Sequence, residues 1–459
     1  ATYVWPTPGR SLPHNAFAPL VAALNEGRES VALQVIGDST GHTAGKTRWP
    51  FHVADWLAAR YPTYATQITT WDGTSAYPAP TVLSGDPTTR RASFSGVGAV
   101  CHPGNGQSFV GASDVLDIRI KVSLPAWPIA DSAKGVLVSR WATGYSWFFA
   151  MHNQGSLVFR WSADGTTTLA GSSFSSIFTP PTNTPIWFRI VATPATGNFA
   201  FHWSTNGTTW TAIGGSTVGA TTIYDPGNIA KYQVAGMGSN EGWSTLTAYE
   251  VEVRKGNGGP SVVPRYLDNW ISNNTTAAPA AVHAGTPVLT IVNGSWPGAN
   301  ITHVDDPTNL PRMNRIDYGT RATILSMSHN DNRRGGAEYL TEWDSFLAAL
   351  RARAPQSQFI LSTQNPRVLG VAAGWVDAHA ARRLDLIGWA RKNGLSIIDV
   401  YQRYLDQVAA GTPLTSLVNS TAGVDDPPGI HPSDGAAGDL TKGSSLWAEA
   451  VKDAIIGKA

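Results

Sequence analysis

Val31-Ala-Leu-Gln-Val-Ile-Gly-Asp-Ser-Thr-Gly41 is the stretch whose reading decides the fold. Val31 to Ile36 is a short apolar run closed by Gly37, the pattern of a buried strand. The strand runs straight into Gly37-Asp-Ser-Thr-Gly41, so Ser39 stands on a sharp turn at the carboxyl edge of a sheet. Open α/β sheets bind their ligands in the crevice along that edge. The small flanking residues allow a tight turn that exposes the hydroxyl, and the segment fits the G-x-S-x-G pattern. A serine hydroxyl is a weak nucleophile until a base takes its proton, so this reading requires a histidine close in space.

Outward from this turn the pattern is strand and helix in alternation. Lys46 to Arg60 reads as a helix with Trp49, Val53, Trp56 and Leu57 on one face, and Ala65 to Thr70 as a second strand. The alternation returns from residue 266 onward. Strands are expected at Val288 to Val292, Ala322 to Met327, Gln358 to Ser362 and Leu395 to Val400. Helices are expected at Ala337 to Arg353, Gly374 to Lys392 and Thr441 to Ile456, with Asn393-Gly394 closing the second of them. These elements predict an α/β fold: an open parallel sheet with helices on both faces.

Residues 85–265 differ in texture. They read as short strands punctuated by Gly, Pro, Asn and Asp, including Val115 to Val122, Tyr145 to Ala150, Leu157 to Trp161, Ile186 to Val191 and Leu246 to Val253. Phe159-Arg-Trp-Ser-Ala-Asp-Gly-Thr-Thr167 is echoed by Phe201-His-Trp-Ser-Thr-Asn-Gly-Thr-Thr209, and both are read as hairpins of one sandwich. The expected organisation is one α/β domain, residues 1–84 and 266–459, interrupted by an all-β insert at 85–265.

Composition narrows the function classes. A chain of 459 residues is expected to hold two or three domains. A net charge of +1 argues against a nucleic-acid partner or a polybasic membrane surface. Charged residues make up 14% against roughly 25% in an average soluble domain. No apolar run reaches the length of about 18 residues that a membrane span needs. The single cysteine, Cys101, excludes an internal disulfide framework and a cysteine-clustered zinc site, and the histidines lack metal-ligand spacing, so neither metal nor cofactor is expected. Low charge, many Thr, Ser, Asn and Gly, and 18 Trp suggest an extracellular setting, secreted or virion-associated. Composition carries that expectation, since the sequence opens at Ala1-Thr-Tyr without a leader pattern.

Three further segments end strands or precede the last helix: Asn293-Gly-Ser-Trp-Pro-Gly-Ala-Asn300, Ser328-His-Asn-Asp331 and Asp425-Asp-Pro-Pro-Gly-Ile-His-Pro-Ser433. In this order, with the serine turn, they resemble the SGNH (GDSL-like) hydrolase family over residues 1–84 and 266–459. The resemblance implies a flavodoxin-like sheet and a serine esterase. It makes Ser39 the nucleophile and His431 the general base. It makes Ser39, Gly298 and Asn330 the oxyanion hole, through two backbone N–H groups and a side-chain amide. Preorganised donors of that kind stabilise the negative oxygen of acyl transfer. Asp38 is expected to tie the turn down by hydrogen bonds.

Two positions depart from the family pattern. Ser328 stands where a glycine is usual, and Pro428 stands three residues before the histidine, where an aspartate is usual. Pro427-Pro428 reads as an expansion of that loop, which makes Asp426 the orienting acid; Asp425 and a Ser–His dyad are the alternatives. His329, Trp296 and Arg333 are candidate substrate contacts, as is His303; for Arg333-Arg334 a solvated loop is the alternative. An α/β-hydrolase also fits G-x-S-x-G, but only 38 residues precede Ser39, too few for the strands that fold places before its elbow.

The insert resembles concanavalin-like (laminin-G-like) jelly rolls of phage tail and secreted bacterial proteins. Trp127, Trp141, Trp147, Trp203, Trp210 and Trp243 are its candidate sugar-stacking rings, with a place in the sandwich core as the alternative for each. The function expected is removal of acyl groups, chiefly acetyl, from a polysaccharide or cell-surface glycan through an acyl-enzyme on Ser39. The alternatives are a catalytically weak tail protein that binds glycan through the sandwich, and a lipase acting on lipid acyl chains.

Overall fold

A computed structural model describes residues 16–42, 47–73, 77–96, 99–102, 114–127, 135–141, 145–166, 169–227, 231–237, 243–273, 282–315, 318–331, 335–368, 373–419 and 429–458. The chain divides into two compact units. One is Ala1–Gly85, Pro287–Arg315 and Thr320–Ala459; the other is Asp86–Thr286 with Ile316–Gly319.

The first unit is built on a seven-stranded sheet. Its strands are β1 (Val31–Gly37), β2 (Ala65–Thr70), β3 (Thr81–Ser84), β4 (Val288–Asn293), β5 (Thr320–Ser326), β6 (Gln358–Ser362) and β7 (Ser396–Ile398), in the spatial order β7-β6-β5-β1-β4-β2-β3. β1 is central and pairs in parallel with β4 (Val31 opposite Leu289) and β5 (Gly37 opposite Ser326). The strand order reverses there, so the crevice outside its carboxyl end is the place for a ligand. Every residue of β1 and β4 is buried, as a parallel sheet covered on both faces requires. Leu33, Val35, Leu289, Ile291 and Ile324 share one core with residues of α1 (Ala18–Glu26), α2 (Trp49–Arg60), α7 (Val400–Ala409) and α9 (Gly443–Ile455). Within it Trp49 and Trp447 stack at 5.3 Å. The remaining helices are α3 (Ile301–Asp305), α4 (Leu310–Met313), α5 (Ala337–Arg353), α6 (Ala373–Lys392) and α8 (Leu414–Leu417).

Three details correct the sequence reading of this unit. The sheet is not wholly parallel: β3 runs antiparallel to β2, a short and largely exposed edge strand that needs no crossover helix. The strand expected at Leu395 to Val400 is cut to Ser396–Ile398, because Asp399 caps α7 through Gln402 N–H. The α1 helix was not expected at all; Gly27 ends it in the left-handed conformation (φ 65°). Among the described residues no helix is long and apolar enough to cross a membrane.

The second unit holds two seven-stranded sheets whose described pairs are all antiparallel. One runs Thr211–Thr217, Asn198–Ser204, Ile186–Thr193, Leu116–Ser123, Trp243–Lys255, Arg91–Gly96, Val282–Ala284. The other runs Gly171–Phe174, Ser156–Trp161, Trp147–His152, Gly135–Arg140, Tyr232–Val234, Ala99–His102, Ile271–Asn273. Alternating residues of both sheets, such as Ile118, Phe188 and Phe199 from one and Phe149, Phe159 and Trp161 from the other, form one core. Trp161 stacks on Phe199 at 4.4 Å.

The expected boundary at 265 moves to 286, because Ile271–Asn273 and Val282–Ala284 each add an edge strand to a sheet of this unit. The echoed segments form antiparallel pairs, one in each sheet. Their connections run longer than a two-residue turn, and Asp164 and Asn206 close them by accepting from Thr166 N–H and Thr208 N–H.

Five of the six candidate sugar-stacking rings are engaged by the protein. Trp147 is fully buried, Trp141 meets Phe148 edge-on, and Trp203 packs on the core. Trp127 packs on Phe178 and Phe188. Trp210 lies about equally close to the guanidiniums of Arg119 and Arg189, 5.3 and 5.1 Å away, which buried Asp117 holds in place. Trp243 opens a strand, and its side chain lies outside the described residues.

Candidate active site

The nucleophile turn follows β1 without a break. Asp38 is fully buried, and its Oδ1 accepts from Thr40 N–H (3.0 Å) and Thr40 Oγ1 (2.8 Å), which closes the turn around Ser39. Burial pushes the Asp38 carboxyl above its usual range, and bonds from Gln364 and Thr40 oppose that only in part. Asp38 thus holds the turn rather than facing a substrate. Gly37 and Gly41 are required by close approach: an added Cβ would stand 2.9 and 2.6 Å from Ser295 Oγ. Gly41→Ala is expected to destabilise the protein by about 1–3 kcal/mol through this overlap. Adding Ser295→Ala should restore stability, since the next atoms stand at ordinary contact, 3.5 Å. Urea unfolding of both variants checks this, and an unrecovered double variant would refute it.

His431 reaches the turn from the other end of the chain. Its Nε2 lies 2.7 Å from Ser39 Oγ. The segment carrying it is fixed on several sides. Asn365 Nδ2 donates to Ile430 O (2.7 Å), Asn419 N–H donates to His431 O (2.9 Å), and Ser433 Oγ donates to Ser416 O. Arg48 donates to Pro432 O and pairs with Asp434. Asp425, Asp426 and Pro428 lie outside the described residues, as does Arg333.

The loop after β4 carries Gly298, which is exposed with φ 77° and has open space where a Cβ would stand. Trp296 N–H donates to Gly37 O (2.9 Å) and Asn293 Nδ2 donates to Gly41 O (2.9 Å), so this loop is tied to the nucleophile turn. Asn330, after β5, is partly buried and donates one Nδ2 hydrogen to Ala299 O (3.0 Å), the residue next to Gly298. A primary amide has two such hydrogens, so a second donor remains for a substrate oxygen.

His329 is placed otherwise than expected. It is fully buried, so it contacts structure instead of lining the pocket. Its Nδ1 accepts from Arg367 Nε (3.2 Å), and its ring stacks on that of His379 at 4.1 Å. The tripeptide Ser328-His-Asn330 follows an interior strand, and the stretch between strand and partly buried amide is too short to leave the protein. Trp296 is half-buried, tilted against Trp71 (5.1 Å) and edge-on to His303 (4.5 Å); Tyr77 meets Trp71 at 5.4 Å. These rings form one aromatic cluster, in which Trp71 is buried and Trp296 and Tyr77 are partly exposed.

Gln364 was missed. It follows β6, and its side chain bonds both to the nucleophile turn and to the Asn330 turn. The signal was present: Gln358 to Ser362 is another interior strand, and Thr363-Gln-Asn365 is the polar stretch at its carboxyl end. Among the described residues no three His, Cys, Asp or Glu side chains are grouped to hold a metal ion.

The buried histidines make stability depend on pH. Burial, with Arg382 and Arg367, lowers His379 to about 3, and burial, His379 and Arg367 take His329 well below the usual imidazole value. Both rings stay neutral in the fold, while the unfolded chain takes up protons at about pH 6.5. Stability is therefore fully present above that pH and is lost as pH falls toward the folded values, at up to about 1.4 kcal/mol per pH unit per ring. Asp38, shifted upward, acts in the opposite sense just above the usual carboxylate range. Urea midpoints should fall steadily below about pH 6.5, and His379→Gln should make the decline shallower. Equal slopes in the two proteins would overturn this.

A hydroxyl bonded to an imidazole, with an amide and a glycine turn beside it at one sheet edge, can attack a carbonyl and stabilise the oxyanion that forms. No protein-family model matches the chain, and no curated protein does. Similar solved structures include a peptidoglycan O-acetylesterase, with 12% identity, 97% of each chain covered and a TM-score of 0.33. A lipolytic G-D-S-L family protein from Veillonella parvula DSM 2008 shares 14% identity over 36% of this chain and 79% of its own, at a TM-score of 0.27. An extracellular lipase from Streptomyces rimosus shares 15% over 36% of this chain and 81% of its own, at 0.28.

Proposed function

We propose that this protein is a serine ester hydrolase that removes acyl groups, chiefly acetyl, from a polysaccharide or cell-surface glycan. The observation that carries the reading is the 2.7 Å contact between His431 Nε2 and Ser39 Oγ at the central strand's carboxyl edge. Ser39 Oγ attacks the ester carbonyl carbon as His431 Nε2 takes its proton. The carbonyl oxygen becomes an oxyanion, held by the backbone N–H groups of Ser39 and Gly298 and the free hydrogen of the Asn330 amide. Collapse expels the sugar oxygen, which receives the proton from His431, and leaves an acyl group on Ser39. Water then repeats the sequence, with His431 again as base, and releases the carboxylate. Asp426 is the acid assigned to His431 Nδ1 in this reading.

The partly exposed rings of Tyr77 and Trp296, backed by buried Trp71, support a sugar ester. A pyranose presents an apolar CH face to such rings and leaves its hydroxyls for polar partners. In this reading the protein works outside the cell or on a virion, and its sandwich, a jelly roll like those of carbohydrate-binding domains, holds or restricts the polymer. Nitrophenyl esters of increasing chain length, followed by acetate release from acetylated polysaccharides, test the assignment. Acetyl esters should be turned over fastest and acetate released. Preference for long acyl chains, or no release from any glycan, would overturn the substrate class.

A further inference from the structure

Three turns build the site, and their spacing depends on side chains that cross between them. Trp296 N–H and Asn293 Nδ2 tie the Gly298 loop to the nucleophile turn, and Asn330 Nδ2 ties the Asn330 turn to the Gly298 loop. The β1–β5 ladder ends at Gly37 and Ser326, before either Ser39 or Asn330 is reached. Past that point Gln364 makes the span. Its Nε2 donates to Asp38 Oδ2 (2.8 Å) and Thr40 Oγ1 (3.0 Å), which flank Ser39, and approaches Ser326 O (3.2 Å). Its Oε1 accepts from Ser328 Oγ (2.8 Å) and His329 N–H (2.7 Å), which directly precede Asn330. Gln364, Asp38, Thr40, Ser328 and His329 are all buried.

We propose that Gln364 is a positioning residue that sets the distance between Ser39 and the Asn330 amide, and that the polarity of its amide, not only its volume, is required. The polarity follows from the partners. His329 N–H can only donate, so Oε1 must face it, and Nε2 must then face Asp38 Oδ2, which accepts. Asparagine is too short to reach both turns, and an apolar side chain leaves several buried polar groups unbonded at once. The proposal rests on the ester-hydrolase reading of the site.

Gln364→Leu and Gln364→Glu, with kcat and KM measured on an activated acetyl ester from about pH 5 to about pH 9, test it. Gln364→Leu should lower kcat about 100-fold, the cost of a misplacement near 1 Å, with KM changed less than about threefold. Gln364→Glu places a carboxylate against Asp38, and the pair bonds only while it shares a proton. Its kcat should fall with rising pH along a titration that the parent lacks. A folded Gln364→Leu with kcat within about threefold of the parent, or a Gln364→Glu profile parallel to the parent's, would overturn the proposal. If thermal melting shows that Gln364→Leu does not fold, the Gln364→Glu profile decides. If the parent hydrolyses no ester, the ester-hydrolase reading has failed, and crystal structures of the two proteins decide the positioning role separately. A Ser328–Asn330 turn displaced from Ser39 in Gln364→Glu supports it, and unchanged spacing overturns it.

Discussion

Replacing Ser39 by alanine is expected to cut kcat for an activated acetyl ester by roughly 10⁵–10⁶-fold, and His431→Ala to do the same. Alanine at 39 removes the hydroxyl that meets the imidazole at 2.7 Å, so no acyl-enzyme can form. Alanine at 431 leaves the hydroxyl with its proton, and a protonated serine attacks a carbonyl poorly. The two changes destroy one unit, so the double variant should be no slower than either single one, and the small residual rate should come from the oxyanion donors. Folding should be unaffected, because Ser39 is half-buried and its turn is closed by Asp38 and Thr40. Steady-state kinetics with matched thermal melts decide the matter. A folded Ser39→Ala protein within about tenfold of the parent would discard the mechanism.

Asn330→Ala should reduce kcat by roughly 10²–10³-fold, about 3–4 kcal/mol, with KM nearly unchanged. The donated hydrogen acts on a charge that exists only in the transition state, so ground-state binding loses little. Part of the loss will come from the missing bond to Ala299 O, which fixes the Gly298 loop. Both contributions act on the oxyanion and both appear in kcat. A rise in KM with kcat unchanged would instead make Asn330 a ground-state contact.

Much of this architecture is written locally. Val31 to Gly37 and Val288 to Asn293 are short, largely apolar runs that end in Gly and Asn, and a buried parallel strand suits such runs. The helix at Ala337–Arg353 follows from side-chain periodicity and has the bounds that the sequence suggests. The ends of these strands place Ser39, Gly298 and Asn330 on one edge. His431 was legible only through its motif, since nothing local in a loop near residue 431 indicates which strand end it approaches.

Other features depended on contacts that no local pattern encodes. His329 reads as a polar residue on a functional turn, but one peptide unit decides whether a side chain points inward or outward, and here it stacks on His379, far along the chain. The end of the sandwich at residue 286 reflects edge pairing of Val282–Ala284 with Arg91–Gly96. Such short strands carry little intrinsic signal and form because a partner edge is waiting.

The sequence by itself determined that this chain alternates strand and helix around an all-β insert, and that a serine stands on the tight turn after its first strand. Those properties arise from hydrophobic period and turn chemistry, which act within a few residues. Tertiary structure alone decided that His329 is interior and that Gln364 bridges Asp38 and His329. Each of those is settled by hydrogen-bond satisfaction among buried groups brought together from distant strands. A buried polar atom must find a partner, and only the folded chain determines which partner is within reach.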